Sequence, residues 1–315
     1  EDGNQVECRT GARADDVDVT DVPQKTQRVN RVADDLNGNE LETTGTAQFA
    51  PKGKDIVFKN GDLTFTSTDP KIETATSRIN PTGSGKFTLD GVTMTTKAGT
   101  AIFAEYANET VEGGKYQLAI PEIVINNSTI VAAGGYAVST NASLKDAENA
   151  DTNVTGDKSV TSSFPEVKIT ITDSTLMAGV TYNVLTGYAP IKDVEGTALF
   201  INVPSDVTVE GSTLAANRQV VMVRGGELEM SDSTIELVKD DSIENKLDVT
   251  WTDGNSAPHA AMMLGNDYSD VSYQYKTTVI LDNVTFNVDA SDYTVVVASD
   301  YSDATLVDQD DTVFA

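Results

Sequence analysis

The chain has 315 residues, 39% hydrophobic and 6% aromatic, with a formal net charge of -27 and an isoelectric point near 4.1. That charge repels phosphate backbones and anionic surfaces, which disfavours nucleic-acid binding, and no apolar run approaches the roughly 18–20 residues of a membrane-spanning helix. One cysteine (Cys8) and one histidine (His259) leave no disulfide framework within the chain and speak against a Cys/His zinc site.

Residues 1–44 are rich in Asp, Asn, Gln and Arg and carry no copy of the pattern described below, so they read as a polar leader or a cap over the first layer of a repeat. The opening EDGNQVECRTGARADD is acidic and polar, unlike a signal peptide, so a secreted protein would have lost its leader. From residue 45 onward one octet recurs: 87-FTLDGVTM-94, 123-IVINNSTI-130, 169-ITITDSTL-176, 207-VTVEGSTL-214, 228-LEMSDSTI-235 and 279-VILDNVTF-286. A looser copy, 56-IVFKNGDLTF-65, reads as one with extra residues at its turn. Positions one, three and eight are apolar, position five is Gly, Asn or Asp, and position seven is Thr in all six. Alternation over the first three positions predicts a short half-buried strand. Gly, Asn or Asp at position five tolerates left-handed backbone angles and predicts a corner. Position six is Ser or Val, small enough for a tight bend.

A second apolar strand follows each octet: 100-TAIFAEY-106, 134-GGYAVS-139, 198-ALFINV-203, 219-QVVMV-223, 259-HAAMML-264 and 293-YTVVVA-298. Where nothing is inserted, octet and strand close in the 21 residues between Val207 and Leu228. Repeats of this length that carry strands stack, each burying its neighbour's apolar face. The predicted fold is all-β: a right-handed parallel β-helix, a solenoid of the pectate-lyase-like kind, over residues 45–315. Octet starts differ by 36, 46, 38, 21 and 51 residues, and the excess lies in insertions near 107–122, 140–166, 186–196, 238–258 and 265–278. Long loops on a regular scaffold commonly carry function. Trp251, Tyr268, Tyr273 and Tyr275 fall in these insertions and are candidate ligand-binding aromatics. Arg218 and Arg224, the arginines of the repeats, join them as candidates, and loops with Lys145, Lys158 or Lys246 would have to attract any anionic glycan.

Enzymatic roles rest on thinner patterns. Asp90, Asp173, Asp232 and Asp282 sit at corners where stacking would gather them into a cation site, calcium being the fitting ion. Two carboxylates about 5–10 Å apart would suit glycoside hydrolysis. The acidic positions are shared across the repeat, however, which points to structural corners and away from one catalytic centre. His259 opens a core-like strand and reads as a structural edge residue. No catalytic residue, metal ligand or cofactor is assigned.

The irregular repeats, the octets with their invariant Thr, the scarcity of cysteine and the acidic, Thr-rich composition over residues 45–300 resemble passenger domains of bacterial autotransporter adhesins. That resemblance implies secretion, display at the bacterial cell surface, and non-catalytic adhesion to host-surface glycans or extracellular-matrix proteins, or self-association between cells. The alternatives are a polysaccharide lyase or glycoside hydrolase on the same scaffold, and a structural fibre or surface-layer protein.

Overall fold

The computed structural model describes residues 6–9, 32–44, 54–66, 79–81, 83–97, 99–105, 107–110, 116–141, 166–241, 259–264, 277–297, 304–308 and 313–314. Among them there is no helix, and two long sheets of mainly parallel strands account for most of the structure.

The larger sheet has 17 strands. Each octet contributes a pair, such as Val167–Thr172 with Thr175–Ala178, or Ser205–Glu210 with Thr213–Ala216. The octets stack in register without a slip. Position one runs Phe87, Ile123, Ile169, Val207, Leu228, Val279 as successive Cα partners, and position three runs Leu89, Ile125, Ile171, Val209, Met230, Leu281. Position seven is an unbroken column of Thr93, Thr129, Thr175, Thr213, Thr234 and Thr285. Positions one, three and eight are buried throughout in one apolar core. A fully buried Val, Leu or Ile stabilises by about 1.5–3 kcal/mol, so these columns are the main source of stability.

Position five turns the chain. Gly91, Asn127, Asp173, Gly211, Asp232 and Asn283 all have positive φ, between 45° and 67°. Position six does more than fit the bend. The Ser174 hydroxyl accepts the buried Ser128 N–H at 3.0 Å and donates to the Thr172 carbonyl at 2.7 Å. Ser212 does the same for Ser174, Ser233 for Ser212, and Ser128 for Val92. The result is a serine staircase along the corner edge, each hydroxyl satisfying an amide of the preceding layer.

The second sheet has six parallel strands: Ile102–Glu105, Gly135–Asn141, Gly196–Ile201, Gln219–Val223, Ala260–Leu264 and Tyr293–Val297, adjacent in chain order. Its middle strands are buried on both faces. Leu199, Val221 and Met262 enter the main core, whereas Phe200, Met222 and Met263 form a separate cluster with Tyr136.

Two readings of the sequence change. The octet at 56–63 has no extra residues: Ile56 pairs with Phe87 and Leu63 with Met94, so Asp62 simply stands in the Thr column. The ladder also starts before residue 45, because Val32–Asp35 and Glu40–Thr44 already pair in parallel with Ile56–Thr66. Their corner, 36-LNGN-39, holds two more residues than the octet allows, which hid the repeat. Beyond them Val6–Arg9 lies antiparallel on Glu40–Thr44. At the far end Ala304–Asp308 and Val313–Phe314 continue the large sheet. The insertion near 107–122 contains an antiparallel pair, Ala107–Thr110 with Tyr116–Ala119, and the insertion near 186–196 begins inside another, Val180–Asn183 with Gly187–Pro190. Residues 142–165, 242–258 and 265–276 lie outside the described residues.

Replacing Ser174 by Ala is expected to leave the Ser128 amide buried without its acceptor, at a cost of about 1–3 kcal/mol. Urea denaturation gives the total, and hydrogen exchange should show faster exchange at Ser128 than at Ile171. Truncating Ile171 to Ala is expected to cost about 2–5 kcal/mol by the same denaturation measurement.

Candidate functional site

The corner between the end of the large sheet and the start of the six-stranded one gathers residues from successive repeats. Asn217 and Arg218 precede Gln219–Val223, Asp240 follows Thr234–Leu237, His259 precedes Ala260–Leu264, and Ser291 and Asp292 precede Tyr293–Val297. Between them lies an open recess of about 190 Å³ with Leu237 and Val238 as its apolar part.

Its backbone frame is set by Asn217, which is buried. Its amide nitrogen donates to the Val194 carbonyl at 2.7 Å, and its side-chain oxygen accepts the Gly196 N–H at 2.9 Å. This ties one repeat to the preceding one. Gly196 must be glycine here, since a Cβ would strike the Ala178 carbonyl carbon and the Gly179 nitrogen.

Glu195 is the electrostatic hub. His259 Nε2 lies 3.6 Å from one carboxylate oxygen, and Arg218 Nη1 lies 3.9 Å from the other. The His259 imidazole is the largest influence holding the Glu195 carboxyl below its ordinary range. Burial opposes it and the Arg218 charge reinforces it. Glu195 is therefore ionised in neutral solution: it accepts hydrogen bonds and does not serve as a general acid. At the outer lip Lys239 lies 3.6 Å from Asp289 and donates to the Ser291 hydroxyl at 2.9 Å. The Asp289 charge raises the Lys239 ammonium, and the Ser291 hydroxyl and amide lower Asp289.

Neither candidate arginine lines the recess; both pack against the six-stranded sheet and its flanking residues. Arg218 donates to the Thr197 hydroxyl at 3.3 Å and lies 5.9 Å from the centre of the Tyr136 ring. Arg224 donates to the Asn202 side chain at 3.0 Å and lies 4.9 Å from the Phe200 ring centre. Both are at most 4% exposed, so stacking on the rings and hydrogen bonds to Thr197 and Asn202, not solvent, hold these charges. Trp251, Tyr268, Tyr273, Tyr275, Lys145, Lys158 and Lys246 lie outside the described residues.

The corner aspartates are not brought together. Asp90 and Asp282 occupy position four, Asp173 and Asp232 position five. Gly211 separates Asp173 from Asp232, Lys59 lies 3.3 Å from Asp90, and the Asn283 amide donates to Asp232 at 2.6 Å. Among the described residues no group of three or more His, Cys, Asp or Glu is placed to hold a metal ion. The recess itself was not legible beforehand, because its lining residues are spread from 217 to 292 and only the stacking joins them. His259, placed in sequence at a strand edge, was its one visible signal.

Comparison with protein-family models, with curated proteins and with solved structures finds no match to this chain.

The pH dependence of stability follows from Glu195. Its folded-state pKa is lowered from the ordinary value of 4.5, so its stabilisation is complete above that value and is lost as pH falls through the lower one. Urea midpoints of the wild type are expected to drop across that acid window. In Glu195→Gln this component of the drop should be absent, which parallel titrations of the two proteins would measure.

Proposed function

We propose that the chain is a right-handed parallel β-helix, displayed at a bacterial surface, that binds host-surface glycans or extracellular-matrix proteins without turning them over. The observation that carries this reading is the Thr column. Six successive layers present the same hydroxyl in the same register on the outward side of the large sheet, spaced by about 4.8 Å as adjacent strands are. A periodic row of identical polar groups suits an extended ligand held by many weak contacts, each made effective by its neighbours. Threonines 129, 175, 213, 234 and 285 are half-buried and Thr93 is exposed, which keeps the hydroxyls rigid and reachable.

Two further features fit. The partly exposed, ionised Glu195 and the adjoining His259 offer an acceptor and an imidazole to a polyol, and Glu195 is not a proton donor of raised pKa. Wide spreading of acidic groups over repeated positions gives a soluble exterior around the contact surface.

The experiment is a glycan and matrix-protein binding array run beside a polysaccharide-depolymerisation assay. Binding without release of reducing or unsaturated ends is expected, and replacing Thr175, Thr213 and Thr234 together by Val should weaken it. EDTA should leave it unchanged. Release of sugar ends would overturn the reading in favour of a lyase or hydrolase.

A further inference from the structure

The hairpin of Val180–Asn183 and Gly187–Pro190 lies between the strands Thr175–Ala178 and Gly196–Ile201. Its sequence, 180-VTYNVLTGYAP-190, carries no charge, in a chain with 49 Asp and Glu against 22 Lys and Arg. The turn is well held. The Leu185 N–H donates to the Asn183 side-chain oxygen at 2.8 Å, the Thr186 N–H donates to the Asn183 carbonyl at 3.2 Å, and Gly187 supplies the positive φ. At the base the Ile191 N–H donates to the Gly179 carbonyl at 2.8 Å.

One face of this hairpin rests on the large sheet. Tyr182 and Tyr188 are cross-strand partners whose ring centres are 4.8 Å apart. Tyr188 packs against a cluster of Met177, Val180, Ala215 and Val238, separate from the main core. Met177 and Ala215 each follow a core leucine, Leu176 and Leu214, by one position, so they lie on the outer face of the sheet. They are buried there in contact with the hairpin. Val131, Met177, Ala215 and Glu236 are successive register partners and form one outward column. Thr129, Thr175, Thr213 and Thr234 stand two residues earlier on the same strands and the same face, about 7 Å away along each strand. The tyrosine pair is therefore a wall beside the hydroxyl column.

The two rings play different parts. Tyr188 is half-buried, whereas Tyr182 is 55% exposed. Burial, then the charge of Glu236, then Tyr182 push the Tyr188 phenol above its ordinary range, so its hydroxyl keeps its proton in neutral solution and can donate.

We propose that Tyr182, seated on Tyr188, is a stacking platform for one ring of a neutral glycan that lies along the Thr column. This rests on the adhesive reading and names the ligand class at its contact surface. A pyranose presents C–H groups on its faces and hydroxyls around its rim. The exposed tyrosine ring offers the C–H groups an apolar surface whose face is negatively polarised. Threonine hydroxyls, each a donor and an acceptor, suit the rim. Charge sets the class. Glu236 lies beside Tyr188 and the chain carries a net charge of -27, so a sialylated, uronic or sulfated ring would be repelled.

An array of neutral galactose- and glucose-containing oligosaccharides, beside sialylated and sulfated ones, tests the proposal, with calorimetric titration of the sugars that bind. Neutral sugars are expected to bind. Tyr182→Ala should weaken them about three- to tenfold, and Tyr182→Phe should retain them because it keeps the ring. Far-UV circular dichroism should be unchanged in both, since the side chain is largely in solvent. Replacing the tip residues, Val184→Ser with Leu185→Ser, should leave sugar affinity unaltered. Neutral-sugar binding that ignores Tyr182→Ala overturns the platform and leaves adhesion standing. Preference for the anionic sugars overturns the ligand class. Binding of matrix proteins alone, lost in the tip variant, overturns the platform in favour of a protein contact at the hairpin, again within an adhesive protein. A chain that binds neither sugars nor matrix proteins sinks both readings together.

Discussion

Each layer of the large sheet turns on one residue held at positive φ, and the sorting of side chains depends on it. Before the corner, odd positions of the octet face the core, as Ile169 and Ile171 do; after it, even positions do, as Ser174 and Leu176 do. The left-handed residue and the one before it both face outward, so the alternation changes phase by one. Without that shift, Thr175 would enter the core and Leu176 would face water. Non-glycine residues in this region are strained by about 1–2 kcal/mol unless their side chains help locally, which restricts the position to Gly, Asn and Asp. Neighbouring corners are close: the Asp173 side-chain oxygen lies 2.7 Å from where a Cβ on Gly211 would stand, and the Asn283 amide donates to Asp232.

The two sheets solve different problems. The octet sheet has an apolar side and a polar side, with Thr and acidic residues outward. The six-stranded sheet is buried on both faces in its middle strands, so its outward column of Phe200, Met222 and Met263 is apolar too. The buried Arg218 and Arg224 lie over the aromatic members of that layer, Tyr136 and Phe200. The recess forms where these two regimes meet, at the corner that each repeat must cross.

Much of this was legible in the order of residues. The three columns of apolar positions, the left-handed corner and all six members of the second sheet follow from alternation and from the backbone tolerance of Gly, Asn and Asp. Position six was read for its size alone. Its hydrogen bonds escape sequence reading because the partner amide lies 21 to 46 residues away. The layers at both ends escaped for another reason. In 32–44 the corner is longer, and in 304–314 Asp308 stands opposite Leu281, where the pattern demands an apolar residue. Arg218 and Arg224 looked like ligand contacts because charge in a repeat suggests display; nothing local reveals that Tyr136 and Phe200 lie beneath them.

The direction of the hydrogen bonds has a mechanical consequence. In both parallel sheets they run from one layer to the next, across the strands, and the serine staircase runs the same way. A pull applied at the two ends of the stack would therefore act on the layers in series, each interface bearing the full load with only its own bonds and apolar contacts. Such a body peels a layer at a time and dissipates work over distance instead of failing at one high force. Sideways loading would have to shear many bonds together, so the same stack is stiff in one direction and extensible in the other.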